Sequence, residues 1–153
     1  MAEQSHTLIY GGGKVGLMGI IADAVLEHGG EVIGVIPDFL LRKEVGHQGL
    51  TRLEVVSTMH ERKYRMANLS HAFVAMPGGW GTLDELAEIL TWRQLNLINH
   101  PVALLNVNNF FISLMDQMKH MADMGFLHPN FNAHFSVHET PRALLSQIAT
   151  QSI

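Results

Sequence analysis

The sequence contains no cysteine, which excludes a disulfide framework and every metal site built on thiolates. Without disulfides there is no sequence argument for secretion, so the cytoplasm is the expected location. Ten histidines are present, but they are scattered and form neither an HExxH nor an HxH pattern. We therefore predict no metal site.

Positive charge is scarce and long apolar runs are absent. The chain carries 10 lysines and arginines against 14 aspartates and glutamates, for a formal net charge of -4. Because nucleic acids bind through clustered basic side chains, no nucleic-acid partner is expected. No apolar run approaches the roughly 20 residues that span a bilayer, and the N-terminus lacks the basic and apolar regions of a signal peptide. A membrane partner is not expected either.

The composition is typical of a folded protein, with 47% hydrophobic and 16% charged residues, and the 153 residues fit one domain, 1–153. Short apolar runs alternate with segments of helical periodicity, which predicts an α/β fold. The continuous apolar character of VIGVI and VALLNV favours parallel strands covered on both faces. We predict strands at 7–10, 31–36, 53–57, 71–76, 101–107 and 134–137, and helices at 14–28, 58–70, 82–96, 110–125 and 140–150.

The longest irregular stretch runs from residue 37 to residue 51. It contains Arg42, Lys43, Glu44 and His47. These polar side chains favour a solvated surface loop, and a lid over a site is the alternative.

A first glycine-rich junction follows the first predicted strand. It begins with Gly11, Gly12 and Gly13 and continues as KVGLMG into a helix. A helix N-terminus offers free backbone N–H groups and a positive dipole end, and glycine lets a phosphate approach closely. A tight turn that binds nothing is the alternative.

Two better-known nucleotide sites do not fit this junction. A dinucleotide site needs an acidic residue at the end of the second strand, whereas Glu31 stands at that strand's start and Asp38 beyond its end. In a Walker motif the lysine precedes Ser or Thr, but Lys14 precedes Val15. Neither NAD binding nor a P-loop is predicted.

A second junction, PGGWGTLDE, lies between the predicted strand AFVAM and a helix. Apolar positions at Leu83, Leu86, Ala87 and Leu90 leave Glu85 and Glu88 on another face. A carboxylate one turn beyond phosphate-binding glycines suggests catalysis. The alternative is that Asp84 and Glu85 only favour the helix dipole in the first turn.

A third segment, MHERK, begins another helix. Its Arg62 could bind a phosphate or a carboxylate in bidentate fashion, or could belong to a solvated helix face. Both glycine junctions follow strand carboxyl ends, where open α/β sheets bind ligands. The residues alone therefore predict the binding of a small phosphorylated, nucleotide-like molecule.

The ordered motifs YGGGKVGLMG, ADAVLEHGGEVIGVIP, MHERK and PGGWGTLDE resemble the LONELY GUY (LOG) family of cytokinin riboside 5′-monophosphate phosphoribohydrolases, also labelled lysine decarboxylase-like. The resemblance implies a Rossmann-like three-layer fold with a mostly parallel sheet, and a homodimer or higher homo-oligomer. It further implies hydrolysis of the N-glycosidic bond of AMP-like or prenylated nucleoside 5′-monophosphates, without a cofactor. The alternative functions are a noncatalytic nucleotide-binding module and an inactive fragment.

Carried onto this sequence, the family's catalytic pair falls on Arg62 and Glu85. The substrate-binding positions implied by the resemblance are Gly11, Gly12, Gly13, Met59, Lys63, Gly78, Gly79, Gly81, Thr82 and Glu88. Arg93 is a further candidate, either for the ligand or for structure alone.

The sequence departs from the family in two respects, the decarboxylase label and the N-terminal part. The decarboxylase label implies pyridoxal phosphate, but none of the four lysines, Lys14, Lys43, Lys63 and Lys119, stands in a context that suits a Schiff base. Family members normally begin with one more strand and helix that carry a glycine-serine turn. We therefore expect the chain to be N-terminally truncated relative to the family.

Overall fold

A computed structural model of the chain describes residues 1–43 and 46–151. Among them, two three-stranded parallel sheets alternate with helices along the chain. The strands are β1 (Leu8–Tyr10), β2 (Val32–Pro37), β3 (Arg52–Val56), β4 (Phe73–Ala75), β5 (Val102–Leu105) and β6 (Ser136–His138). The helices are α1 (Leu17–Glu27), α2 (Asp38–Leu41), α3 (Met59–Leu69), α4 (Trp80–Gln94), α5 (Ile112–Asp123) and α6 (Pro141–Gln151). Short 3-10 turns lie at Ala2–Gln4, Val107–Asn109 and Phe131–His134.

The chain forms two compact units, Met1–Ser70 and His71–Ile153. The first contains β1 to β3 in the order β1-β2-β3, and the second contains β4 to β6 in the order β4-β5-β6. Every named strand pair is parallel. The predicted α/β class and parallel pairing are confirmed, whereas a single domain over residues 1–153 stays a prediction.

The first unit is built around β2, because its apolar run is buried along most of its length. Helix α1 covers one side of the sheet through a core cluster that joins it to β1 and β2. The cluster consists of Tyr10, Ala22, Val25 and Val32. Helix α3 contacts all three strands, which places the MHERK segment beside the carboxyl end of β1.

The second unit shows why a continuous apolar strand indicates burial on both faces. All four residues of β5 are buried, and alternate residues face opposite sides of the sheet. Val102 and Leu104 pack with Leu86 of α4 and with Phe111. Ala103 and Leu105 pack with Leu144 and Ile148 of α6. Helices therefore cover the two faces of this sheet, as the predicted three-layer arrangement requires.

The predicted strands and helices are confirmed, with ends that differ from the predicted ones by up to three residues. Helix α4 begins at Trp80, two residues before the predicted start, and the stretch predicted as irregular contains α2. Within the same stretch His47 is buried, which contradicts a fully solvated loop, while Arg42 and Lys43 are exposed and Glu44 lies outside the described residues. None of the helices that the structure describes is both long and apolar enough to cross a membrane.

Candidate active site

The first glycine turn leaves β1 in a tightly packed backbone. Gly11, Gly12 and Gly13 are all buried. Gly12 has a φ of 76°, and a Cβ there would lie 3.1 Å from Leu53 Cδ1 and 3.2 Å from Ile36 Cβ. A side chain there would be strained by its conformation and crowded by its neighbours. Because these glycines are buried, they shape the turn, and the exposed backbone begins only at residue 14.

Helix α3 begins with a capping arrangement that fixes the position of its first turn. The Thr58 hydroxyl accepts a hydrogen bond from Glu61 N–H at 3.1 Å, and the Glu61 carboxylate accepts one from Ser57 N–H at 2.8 Å. This reciprocal pattern satisfies backbone donors at the helix start that have no partner within the helix. Met59 and Arg62 are thereby held on the first turns of α3.

Arg62 contacts the first glycine of the β1 turn. A Cβ built on Gly11 would overlap Nη2 of Arg62 and lie 2.9 Å from its Cζ. Within α3, Nη1 of Arg62 also donates to the sulfur of Met59 at 3.8 Å. The guanidinium is thus half-buried against the strand end, and the alternative of a solvated helix face does not hold.

In the second unit, the turn Gly78–Thr82 follows β4 and includes the first three residues of α4. Gly78, Gly79 and Gly81 are exposed, and a Cβ on Gly79 or Gly81 would meet no atom within 4 Å. Gly78 differs, because a Cβ there would overlap the hydroxyl oxygen of Thr82. Two exposed glycines precede the 15-residue helix α4 and a third is its second residue, an arrangement that lets an anion approach the backbone N–H groups of a helix start.

Glu85 and Glu88 lie on α4 and are both half-buried. Since α4 begins at Trp80, no acidic residue falls in its first turn. The helix dipole therefore does not explain Glu85. The core side of α4 is also narrower than predicted, because Leu86 is buried but Ala87 is exposed.

The remaining candidates are distributed over both units. Lys63 is half-buried on α3, beside Arg62 in sequence. Arg93 donates from Nη1 to the backbone oxygen of His100 at 2.8 Å, which favours the structural alternative for this residue. The structure brings together Gly11, Arg62 and Met59 in the first unit, and Gly78 with Thr82 in the second.

Tyr10 directly precedes the first glycine turn. Burial, reinforced by the negative charge of Asp23, raises the pKa of Tyr10 to about 12. Its hydroxyl makes no hydrogen bond to any residue that the structure describes. The group is therefore a neutral, buried phenol at neutral pH. Within residues 1–43 and 46–151, no three His, Asp or Glu side chains gather as metal ligands would.

Sequence reasoning did not predict the surroundings of two residues near the turns. His47 is only 5% exposed, and its Nε2 lies 2.7 Å from Asp23 Oδ1. Trp80, at the first position of α4, is 88% exposed. The glycines that flank His47 were the available signal, since they allow a tight path around a buried ring.

Known proteins resemble the chain in sequence over most of its length. The profile of a family described as "Possible lysine decarboxylase" matches residues 18–148. A cytokinin riboside 5′-monophosphate phosphoribohydrolase of Rhodococcoides fascians is 48% identical over 130 residues, which are 84% of this chain and 66% of that protein. The cytokinin riboside 5′-monophosphate phosphoribohydrolase LOG1 of Arabidopsis thaliana is 46% identical over 129 residues. These residues are 84% of this chain and 61% of that protein. The chain belongs to the LOG family.

The similarity to this LOG-family chain extends to solved structures. The molybdenum cofactor binding protein of Rippkaea orientalis aligns with 99% of the chain and 81% of its own length, with a TM-score of 0.72 and 22% identity. That similarity concerns the fold. The LOG-family chain spans 66% or less of the length of the two relatives named above.

Proposed function

We propose that the chain hydrolyses the N-glycosidic bond of nucleoside 5′-monophosphates of the AMP type, with plain or prenylated adenine as the base. The relatives that carry this activity in their names support the proposal. The observation that carries it is the Gly78–Thr82 turn, whose exposed glycines lead into α4 two turns before Glu88 and one before Glu85.

The 5′-phosphate is proposed to bind at the N-terminus of α4. Gly78, Gly79 and Gly81 allow the anion to approach the backbone, and the helix dipole favours its negative charge. The hydroxyl of Thr82, which lies against Gly78, adds a donor. The Gly11–Gly13 turn contributes by holding Arg62, since its own backbone is buried.

Glu85 is proposed as the catalytic carboxylate. When the bond from C1′ to the base nitrogen breaks, its electron pair leaves with the base, which then takes up a proton. The sugar passes through an oxocarbenium-like state, which a carboxylate stabilises. Glu85 orients water, whose oxygen forms the new bond to C1′ as its proton is released. The products are the free base and ribose 5-phosphate.

Arg62 is proposed to bind the ribose 5-phosphate part of the substrate. Its guanidinium presents several N–H donors in a fixed plane and stays charged at every physiological pH. The contact with Gly11 and the sulfur of Met59 hold that plane in place. Lys63 and Glu88 are proposed as further substrate contacts on the same two helices.

The deciding experiment is chromatography of free base and ribose 5-phosphate after incubation with AMP or isopentenyladenosine 5′-monophosphate. We expect release by the unmodified chain and a loss of at least about a hundredfold in Glu85→Gln. The matched control is Glu139→Gln, which removes the same charge from an exposed position in the same unit. It is expected to retain full activity.

Other outcomes distinguish the alternatives. Release that survives Glu85→Gln contradicts the catalytic role of this residue. A nucleotide that raises the melting temperature without any product favours a noncatalytic binding module. No stabilisation and no product favour an inactive fragment.

The wider setting belongs to the same proposal. The chain is expected to work in the cytoplasm, as a homodimer or higher homo-oligomer, without a cofactor. Analytical ultracentrifugation at several concentrations tests the assembly.

A further inference from the structure

His47 bonds both to the turn that joins β1 to α1 and to the helix that follows it. Its backbone N–H donates to the Gly12 oxygen at 3.0 Å. Its ring Nε2 lies 2.7 Å from Asp23 Oδ1, in the middle of α1. One residue thus bonds to the turn and to the helix after it.

The bonding of the ring defines which nitrogen carries the proton. Gly49 N–H donates to Nδ1 at 3.1 Å, so Nδ1 is the acceptor. Nε2 therefore carries the proton and donates it to the Asp23 carboxylate. The backbone N–H and both ring nitrogens of His47 therefore have partners, in a side chain that is only 5% exposed.

The neighbouring residue extends the same contact. Gly46 lies opposite Gly13 in an antiparallel bridge, and the bond from His47 N–H to the Gly12 oxygen belongs to this bridge. On its other side the turn is fixed by Gly12, which packs against Leu53 and Ile36. The Gly12–Gly13 backbone is held from both sides.

The same turn determines where Arg62 lies, because Gly11 is the residue against which its guanidinium packs. We propose that His47, through Asp23 and the Gly12–Gly13 backbone, is a positioning residue that holds Gly11 and hence Arg62 in the geometry that binds ribose 5-phosphate. This inference rests on the proposed function for the role of Arg62. It assigns to His47 no contact with the substrate.

The test is a double-mutant cycle read by calorimetric binding of ribose 5-phosphate, a ligand with no glycosidic bond to a base and therefore no turnover. His47→Ala is expected to weaken binding about tenfold, as the loss of one or two hydrogen bonds would. In the Arg62→Ala background it is expected to weaken binding less than twofold, because the group it positions is already gone. His47→Gln, which keeps a donor for Asp23, is expected to restore binding to within about threefold.

The matched control is His28→Ala, which removes an exposed histidine of the same unit and is expected to leave binding unchanged. Circular dichroism and the melting temperature establish that each variant is folded. An equal loss of affinity in both backgrounds would indicate a merely structural role and overturn the inference. Absence of ribose 5-phosphate binding by the unmodified chain would overturn it as well.

Failure of the proposed function gives a different result. If AMP yields no free base while ribose 5-phosphate binding follows the expected cycle, the hydrolase is wrong and the positioning role of His47 stands. If base is released but the effects of the two substitutions are additive, the hydrolase stands and the positioning role of His47 is wrong.

Discussion

The guanidinium of Arg62 fills the space that a side chain at Gly11 would need. A Cβ on Gly11 would overlap Nη2 and lie 2.9 Å from Cζ. Gly11 is not among the residues with a positive φ, so its φ does not demand glycine. The requirement for glycine at this position therefore comes from Arg62 and not from the turn itself.

Gly11→Ala is expected to separate activity from stability. The overlapping atoms belong to the end of a flexible side chain, so the arginine moves away and the fold remains. We expect the free energy of unfolding to change by no more than about 1 kcal/mol. We expect kcat/KM for AMP to fall by at least about tenfold, measured by release of free base.

Gly29→Ala provides a control with the opposite expected result. Gly29 follows α1 with a φ of 73°, where alanine is strained, but a Cβ there would meet no atom within 4 Å. It should lower stability by about 1 kcal/mol and leave kcat/KM unchanged. An unchanged kcat/KM in Gly11→Ala would contradict the role assigned to Arg62.

Sequence patterns predicted those features that depend on neighbouring residues. The buried runs at Val32–Pro37 and Val102–Leu105 are strands because continuous apolar residues can be covered only on both faces of a sheet. The Gly78–Thr82 turn was found because strand, glycines and helix follow one another directly. Such local signals predicted the turn at the start of α4 without the structure.

Features that depend on distant residues were not predictable. The contact between Gly11 and Arg62 joins residues far apart in the sequence and depends on how α3 packs on β1. His47 was expected in a solvated loop because the stretch also contains Arg42, Lys43 and Glu44. It is buried where it hydrogen-bonds to Gly12 and Asp23, and the pattern of apolar residues along the sequence does not predict these contacts.

The hydroxyl of Thr82 is expected to matter for binding the phosphate. Thr82→Val keeps the shape of the side chain and removes the donor, and we expect KM for AMP to rise about fivefold to tenfold. Thr82→Ser keeps the donor and should remain within about twofold of the unmodified chain. Thr91→Val is the matched control, because Thr91 is exposed on the same helix and donates only to Ala87 O at 2.7 Å. A normal KM in Thr82→Val would contradict the phosphate site.

Tyr10 predicts a loss of stability at alkaline pH. Burial, then the charge of Asp23, raises its pKa to about 12, whereas an unfolded tyrosine titrates near pH 10. A group with a raised pKa stabilises the fold below the unfolded value, and this contribution is lost as the pH rises from about 10 to 12. Between pH 7 and pH 11, the free energy of unfolding of Tyr10→Phe should therefore fall less than that of the unmodified chain. The difference between the two falls should be about 1 kcal/mol.

Urea unfolding at pH 7, 9 and 11 measures this difference. Tyr64→Phe, which removes an exposed tyrosine of the same unit, is the control and should keep the alkaline loss. Identical pH dependence in Tyr10→Phe and the unmodified chain would show that the Tyr10 phenol ionises as easily in the folded protein as in the unfolded one.

Glu54 links β3 to α3 through Arg65, is also paired with Arg52 on its own strand, and predicts a loss of stability in acid. Its carboxylate accepts from Arg65 Nε at 2.6 Å and Nη2 at 3.0 Å, and Arg52 Nη2 lies 3.0 Å away. The hydrogen bonds from Arg65, then the positive charges of both arginines, lower the pKa of Glu54. A lowered pKa gives stability above the unfolded value of 4.5 that is lost as the pH falls through the folded value.

Glu54→Gln should thus be less stable than the unmodified chain at pH 7, and the difference should shrink below pH 4.5 and in high salt. Thermal unfolding of both proteins across this pH range measures it, with the exposed Glu139→Gln as control. A difference that stays constant with pH would mean that packing, and not charge, stabilises this link.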